Sequence, residues 1–202
     1  MRIFPFLFAA TSLAACSEKE NDTDPQDTEI QDTEDTVDTG YRIGYDPTEE
    51  LESPSGCADF LFFDRNADHS SMLLLQGQGL AESAHASGET ITVTYDLTEL
   101  PDDIQLVFQY GTNLGHELCN DAIDPTIEVT VDDSFLPANG TLTLTVTPNG
   151  EAMGMGSFPA DLDVQIQMAD FCADIGDGEL HHENCFNIDD YSATASIGWL
   201  PG

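Results

Sequence analysis

The chain has 202 residues and a formal net charge of −35 at pH 7, from 39 acids against four Lys and Arg. Such a charge repels phosphate backbones and anionic headgroups, which excludes nucleic acid and direct headgroup contact as partners. The length suits one domain of ordinary size, large enough to bury its own core.

Met1-Arg2 is a minimal positive start, and Ile3 to Ala10 is an apolar run. It is far shorter than the roughly 20 residues a membrane span needs, so it reads as an export signal. Small residues follow and end on a cysteine, Leu13-Ala14-Ala15-Cys16. These four positions resemble the lipobox of bacterial lipoproteins. The resemblance implies cleavage before Cys16 and a lipid on Cys16. It implies residence at the outer membrane, with the inner membrane as the alternative, because Ser17 stands where an inner-membrane-retaining aspartate would be. More than one acyl chain anchors a protein stably, at about 0.8 kcal/mol per buried methylene. Ordinary secretion is the competing reading, with a cut after Ser12-Leu13-Ala14 and Cys16 left as a spare thiol.

Residues 17–40 carry ten acids and one lysine, with Asp-Thr recurring at 22, 27, 32, 35 and 38. The segment has no aromatic side chain and too little apolar surface to offset its chain entropy. It is expected to be a disordered tether spanning about 25–30 Å as a flexible coil. Its composition resembles the Asp/Thr-rich stalks of predicted bacterial surface lipoproteins. The domain prediction is therefore a signal peptide over 1–15, a lipidated Cys16 and tether over 16–40, and an acidic folded domain over 41–202.

That domain holds the other 29 acids against Arg42 and Arg65. Its acidity reads as a solvated surface, as adaptation to salt, or as carboxylates for Ca²⁺, in that order.

Tyr41, Ile43 and Tyr45 alternate and suggest a short edge strand. From Cys57 onward the hydrophobic period is two. Ala58–Asp64 reads as one nearly continuous apolar strand, returning through a turn to Ser71–Gln76. Residues 77–88 read as loop. Thr90–Leu97 alternates, with Ile91, Val93, Tyr95 and Leu97 on one face. Ile104–Tyr110 and Thr126–Val131 read as further strands. In Thr141–Thr147 the aliphatics point one way and four threonines the other. Leu162, Val164, Ile166 and Met168 define another inward face, and Ala193, Ala195, Ile197 and Trp199 the last one. About eight strands and no helix predict an all-β antiparallel fold. A two-sheet sandwich, immunoglobulin- or fibronectin-III-like, fits the spacing, with a jelly roll as the alternative.

With Cys16 acylated, Cys57, Cys119, Cys172 and Cys185 remain, an even number that in an exported chain reads as two disulfides. Of the three pairings, Cys57–Cys119 and Cys172–Cys185 are favoured, one tying the first strand to the long loop and the other closing the acidic loop. In the chain-entropy model they contribute about 4 and about 3 kcal/mol. Zinc is disfavoured because there is no C-x-x-C pair.

Asp64-Arg65-Asn66-Ala67-Asp68 begins like an EF-hand loop. His69 and Leu75, however, stand where glycine and the bidentate glutamate belong, so it reads as a turn. The better cation candidate is the loop 174–183, with Asp174, Asp177, Glu179 and Glu183 as Ca²⁺ ligands. No nucleophile elbow, P-loop, dinucleotide fingerprint or complete H-E-x-x-H occurs, so no catalytic residue is assigned. The expectation is a non-enzymatic exported interaction module, touching the membrane through its lipid alone and binding a protein or glycan ligand. A Ca²⁺- or carbohydrate-binding module using 174–183 is the alternative. Apart from that calcium, no cofactor is expected.

Overall fold

The computed structural model describes residues 46–199 except 121–123, 154–155 and 177, all within a unit spanning Thr39–Gly202. Cys16, the tether, the Tyr41–Tyr45 alternation and Asp177 lie outside the described residues. The fold is antiparallel β with one short helix. The strands are β1 (Ser55–Cys57), β2 (Leu61–Arg65), β3 (Ser71–Gln76), β4 (Ile91–Asp96), β5 (Gln105–Thr112), β6 (Thr130–Pro137), β7 (Thr141–Pro148), β8 (Ala160–Asp174) and β9 (Leu180–Ile197), with helix α1 (Leu80–Ser87) between β3 and β4.

All nine strands join one hydrogen-bonded network in the order β1-β2-β3-β5-β6-β8-β7-β4, with β9 on β8. Its shape follows from two long strands. β9 covers one edge of β8 from Ala160 to Asp174. The other edge of β8 is shared in tandem, residues 160–167 pairing with β7 and 171–173 with β6. Between those stretches the pleat changes phase. Leu162, Val164 and Ile166 point inward before it, Ala169 and Phe171 after it. At the change Gln167 and Met168 are both exposed, opposite an exposed Asp189-Asp190 step on β9. Met168, expected to continue the inward face, is 73% exposed and adopts φ 49°. A left-handed residue redirects a strand at this kind of step, so the ribbon bends and the sheet curls back on itself. Ala58 N–H donates to the Trp199 carbonyl at 2.8 Å and Gly198 N–H to the Ala58 carbonyl at 2.5 Å, joining the end of β1 to the end of β9.

The main core fills the inside of the curl. Phe62, Leu73, Leu75, Phe108, Leu142, Leu144, Leu162, Ile166, Phe171 and Ile188 are fully enclosed. Phe171 and Phe186, register partners on β8 and β9, stack with centroids 5.6 Å apart. On the outer face of β2 and β3, a smaller core of Phe63, Met72 and Leu114 sits beneath the loop that ends at Cys119. The outer face of β4 and β7 is polar, with hydroxyl pairs Thr90–Thr147, Thr92–Thr145 and Thr94–Thr143 at 3.1, 3.2 and 3.2 Å.

Both expected disulfides form. Cys57–Cys119 pins the loop over the smaller core, and Cys172–Cys185 links directly opposed residues of β8 and β9.

Four further expectations are corrected. The 77–88 stretch contains α1, not loop alone. The Asp59 carboxylate accepts from the Gly79 and Glu82 N–H groups, so it caps the helix from outside the segment. Only Ala81 and Ala84 are buried on it, too little apolar surface for a visible 3.6-residue period. The strand read over 58–64 begins only at Leu61: residues 58–60 form a turn, with Ala58 at φ 51°, that joins it to the short β1 before them. The strand read over 126–131 starts at Thr130 and runs to Pro137, with Val131 half exposed. Asp124 explains the offset: its carboxylate accepts from the Thr126 N–H and hydroxyl and holds a turn there. Finally, the loop read over 174–183 is shorter than expected, since Asp174 still belongs to β8 and β9 begins at Leu180.

Candidate functional site

Among the described residues, one end of the sheet carries a concavity. Leu61 on β2, Gln76 on β3 and Gln105 on β5 lie in one cross-strand row, because Leu61 pairs with Gln76 and Gln76 with Gln105. The turns at 58–60, 77–78 and 101–103 rise around that row. They enclose a cleft of about 550 Å³ lined by Asp59, Gln76, Gln78, Asp102, Asp103 and Gln105, with Phe60 at its base. This is the size range of small-ligand sites. Gly77 permits the close fit: a Cβ there would lie 2.4 Å from the Phe60 ring. Gln76 donates its amide to the Gln105 carbonyl oxygen, which orients both carboxamides. Asp59 is committed to the start of α1, whereas Asp102 and Asp103 are exposed at the turn. Carboxamides donate and accept and carboxylates accept, so the lining complements a hydroxyl- or ammonium-bearing ligand. A second opening of about 480 Å³ lies among Thr112, Asn113, Thr126, Ile127, Glu128 and Thr130.

The proposed calcium loop is a tight hairpin. Asp174 accepts from the Gly176 N–H at 2.9 Å, the Ile175 N–H donates to the Glu179 carbonyl at 3.0 Å, and the Glu179 N–H donates to the Gly176 carbonyl at 3.1 Å. Asp174 thereby holds its own turn. Glu183 lies exposed on β9, beside His181 and His182 on the same strand. Among the described residues, one set of three or more metal-type side chains has ligand atoms within 4.8 Å of one another: Cys172, His182 and Cys185. Its two sulfurs are bonded to each other, so they offer no thiolate to a metal. Asp174, Glu179 and Glu183 are not brought together in this way.

The Asp64–Asp68 segment is a turn, as its residues suggest. Asn66 accepts from the Ser70 and Ser71 N–H groups at 3.0 Å each, and Asp68 accepts from the Ser70 N–H and hydroxyl. Asp64 has a different role. It points inward, 3% exposed, accepting from the Tyr191 hydroxyl at 2.8 Å and from the Ser53 N–H at 2.8 Å. Burial raises its pKa above the ordinary carboxylate value, against the pull of those two bonds. Burial, then the Asp64 charge, pushes the Tyr191 hydroxyl far above its ordinary value. Tyr110 is pushed up to about 12, chiefly by burial and then by Glu50. Strongly displaced groups mark functional candidates, yet Asp64 and Tyr191 are both enclosed in the interior and hold structure together.

Sequence reasoning missed the cleft and the Asp64–Tyr191 pair. The cleft's residues come from three separated turns, and the pair is 127 residues apart. The alternation of β3 and β5 placed Gln76 and Gln105 near strand ends, and that was the only available signal.

No family model, curated protein or solved structure matches this chain.

Proposed function

We propose that the chain is a lipid-anchored exported lipoprotein whose folded domain binds a ligand rather than transforming one. The lipobox Leu13-Ala14-Ala15-Cys16, the tether behind it and the two disulfides support export and anchoring together. The outer membrane is the favoured location, with the domain in the periplasm or at the cell surface. Among the described residues no helix is long and apolar enough to cross a membrane. The observation that carries the binding reading is the cleft at the ends of β2, β3 and β5, lined by carboxamides and carboxylates. The curled sheet serves as a sandwich-like scaffold of the immunoglobulin or jelly-roll kind, presenting loops at its ends.

The test of the anchor is the mature N-terminus. Mass spectrometry is expected to find acylated Cys16 as the first residue, and Cys16→Ala is expected to move the protein from the membrane to the soluble fraction. An unmodified Cys16, or a start elsewhere, overturns the reading. A carbohydrate ligand is the second reading, and the cleft's polar lining favours it over the 174–183 loop. A glycan array probed with the Cys16→Ala chain should give hits that Gln105→Ala abolishes; hits unaffected by Gln105→Ala place the ligand elsewhere.

A further inference from the structure

Arg65 is the one Lys or Arg among the described residues, in a chain of net charge −35. Such a guanidinium should be surrounded by carboxylates. Instead, among the described residues, its side chain has no ion pair, and its Nε is shut off from solvent without a hydrogen-bond partner. Its Cζ stands 5.7 Å from the centroid of the buried Phe63 ring, on the outer face of β2 over the smaller core. The register sets Met72 beside it.

Two histidines share this end of the hairpin. Leu114 N–H donates to the His69 carbonyl at 2.9 Å, which lays the 113–116 loop over the turn. His69 is held below its ordinary pKa by burial first, then by the Arg65 charge, and His116 adds to the same effect. The hairpin turn after Arg65 and the 113–116 loop bonded to it thus bring the three basic residues to one end of β2 and β3. His116 Nε2 is a second buried nitrogen with no hydrogen-bond partner. The two acids close by are already engaged as acceptors, Asp68 by Ser70 and Asp124 by Thr126, each through an N–H and a hydroxyl, although Asp68 still acts on His69 and Asp124 on His116 through space. Buried nitrogens without partners call for an explanation, and both belong to groups that can donate to an anion.

We propose that Arg65, His69 and His116 form an oxyanion-binding site that takes the carboxylate, phosphate or sulfate group of a small ligand. A guanidinium presents a planar fork matched to such groups. The apolar floor of Phe63, Met72 and Leu114 lowers the local dielectric and strengthens the contact. Remote acids are screened over about 10 Å at 0.1 M salt, so the overall charge does not forbid an anion here. The site stands apart from the cleft and does not depend on what the cleft binds.

The test is a titration of the full chain with sodium sulfate, sodium phosphate and sodium acetate, at ionic strength held constant with NaCl, following the histidine ring NMR signals. The expected result is a saturable displacement of His69 and His116, with His181 and His182 on β9 unmoved. The strongest of the three anions identifies the source of the group. Arg65→Gln should weaken that anion about tenfold or more, the loss of a charge-assisted bond. Arg65→Lys, which keeps the charge and the stem but loses the fork, should fall between. No saturable shift with any anion overturns the proposal, as does an equal shift of His181 and His182. An affinity unchanged in both Arg65 variants also overturns it. If Arg65→Gln does not fold, Arg65→Lys decides.

Discussion

The Tyr191 hydroxyl donates to Oδ2 of Asp64 at 2.8 Å across 127 residues of chain, while Oδ1 of the same carboxylate receives the Ser53 N–H. One buried carboxylate thus joins the segment ahead of β1, the strand β2 and the long strand β9. Tyr191→Phe removes a donor from a buried carboxylate and is expected to cost about 1.5–3 kcal/mol, read as a lower urea midpoint at unchanged slope. A midpoint equal to that of the unaltered protein excludes the pair as a stabilising contact.

The pH response of Asp64 has a definite sign. Its folded-state pKa is raised from the ordinary 3.8, so the folded state holds this proton more tightly than the unfolded chain. Below 3.8 the favourable contribution is complete. As pH rises through the raised folded value, stability is lost relative to a chain with no titrating group there. The stability difference between the unaltered protein and Asp64→Asn should therefore drift toward the variant as pH climbs from below 3.8. Denaturation at a series of pH values measures it, and a drift in the opposite direction refutes the assignment.

Met168 sits in a left-handed conformation with its side chain in solvent. Glycine adopts that backbone without the steric cost an L side chain bears, about 1–2 kcal/mol, partly offset by its greater freedom when unfolded. Met168→Gly is expected to stabilise the domain by about 0.5–1 kcal/mol. A destabilised variant, judged by its thermal midpoint, would mean that the methionine side chain packs in a way its exposure does not reveal.

Gly198 offers the opposite case. It has φ 78°, and a Cβ there would lie 1.7 Å from the Phe158 carbonyl oxygen. Its own N–H and carbonyl bond to Ala58 and Phe158 where the curl closes. Gly198→Ala should cost about 3 kcal/mol through strain and overpacking. Hydrogen exchange should localise the loss to β1 and the end of β9; uniform loosening would argue against a local closure.

With 39 acids and few cations to offset them, self-repulsion should be a large destabilising contribution at low ionic strength. The melting temperature is expected to rise from low to molar NaCl. A flat response would show that the acids are far enough apart to ignore one another.

Where alternation was unbroken, the sequence was readable. β3 was assigned to the residue, and the Leu142, Leu144 and Val146 face lies inward with its threonines outward. An even cysteine count and loop logic were enough for both disulfides. Three things escaped for different physical reasons. The Met168 bend preserves the apolar spacing up to the residue that leaves it, so hydrophobicity cannot reveal a change in φ. Helix α1 owes its start to Asp59, twenty residues before Gly79. The cleft and the Asp64–Tyr191 pair exist only once separate strands have met, and pairing partners are not encoded in any local period.

The Ser53–Asp64 bond also bears on mechanics. A pull applied at Asp46 reaches the domain through a short segment held by that bond and by Glu52 N–H on the Arg65 carbonyl. Once these yield, residues 46–54 can peel away as far as β1, freeing about 30 Å of chain at full extension. Peeling stops at Cys57, which is covalently fastened to Cys119. The segment thus behaves as a breakaway slack with a hard stop, and the bonds that give first meet β2 at Asp64 and Arg65, the end away from the cleft.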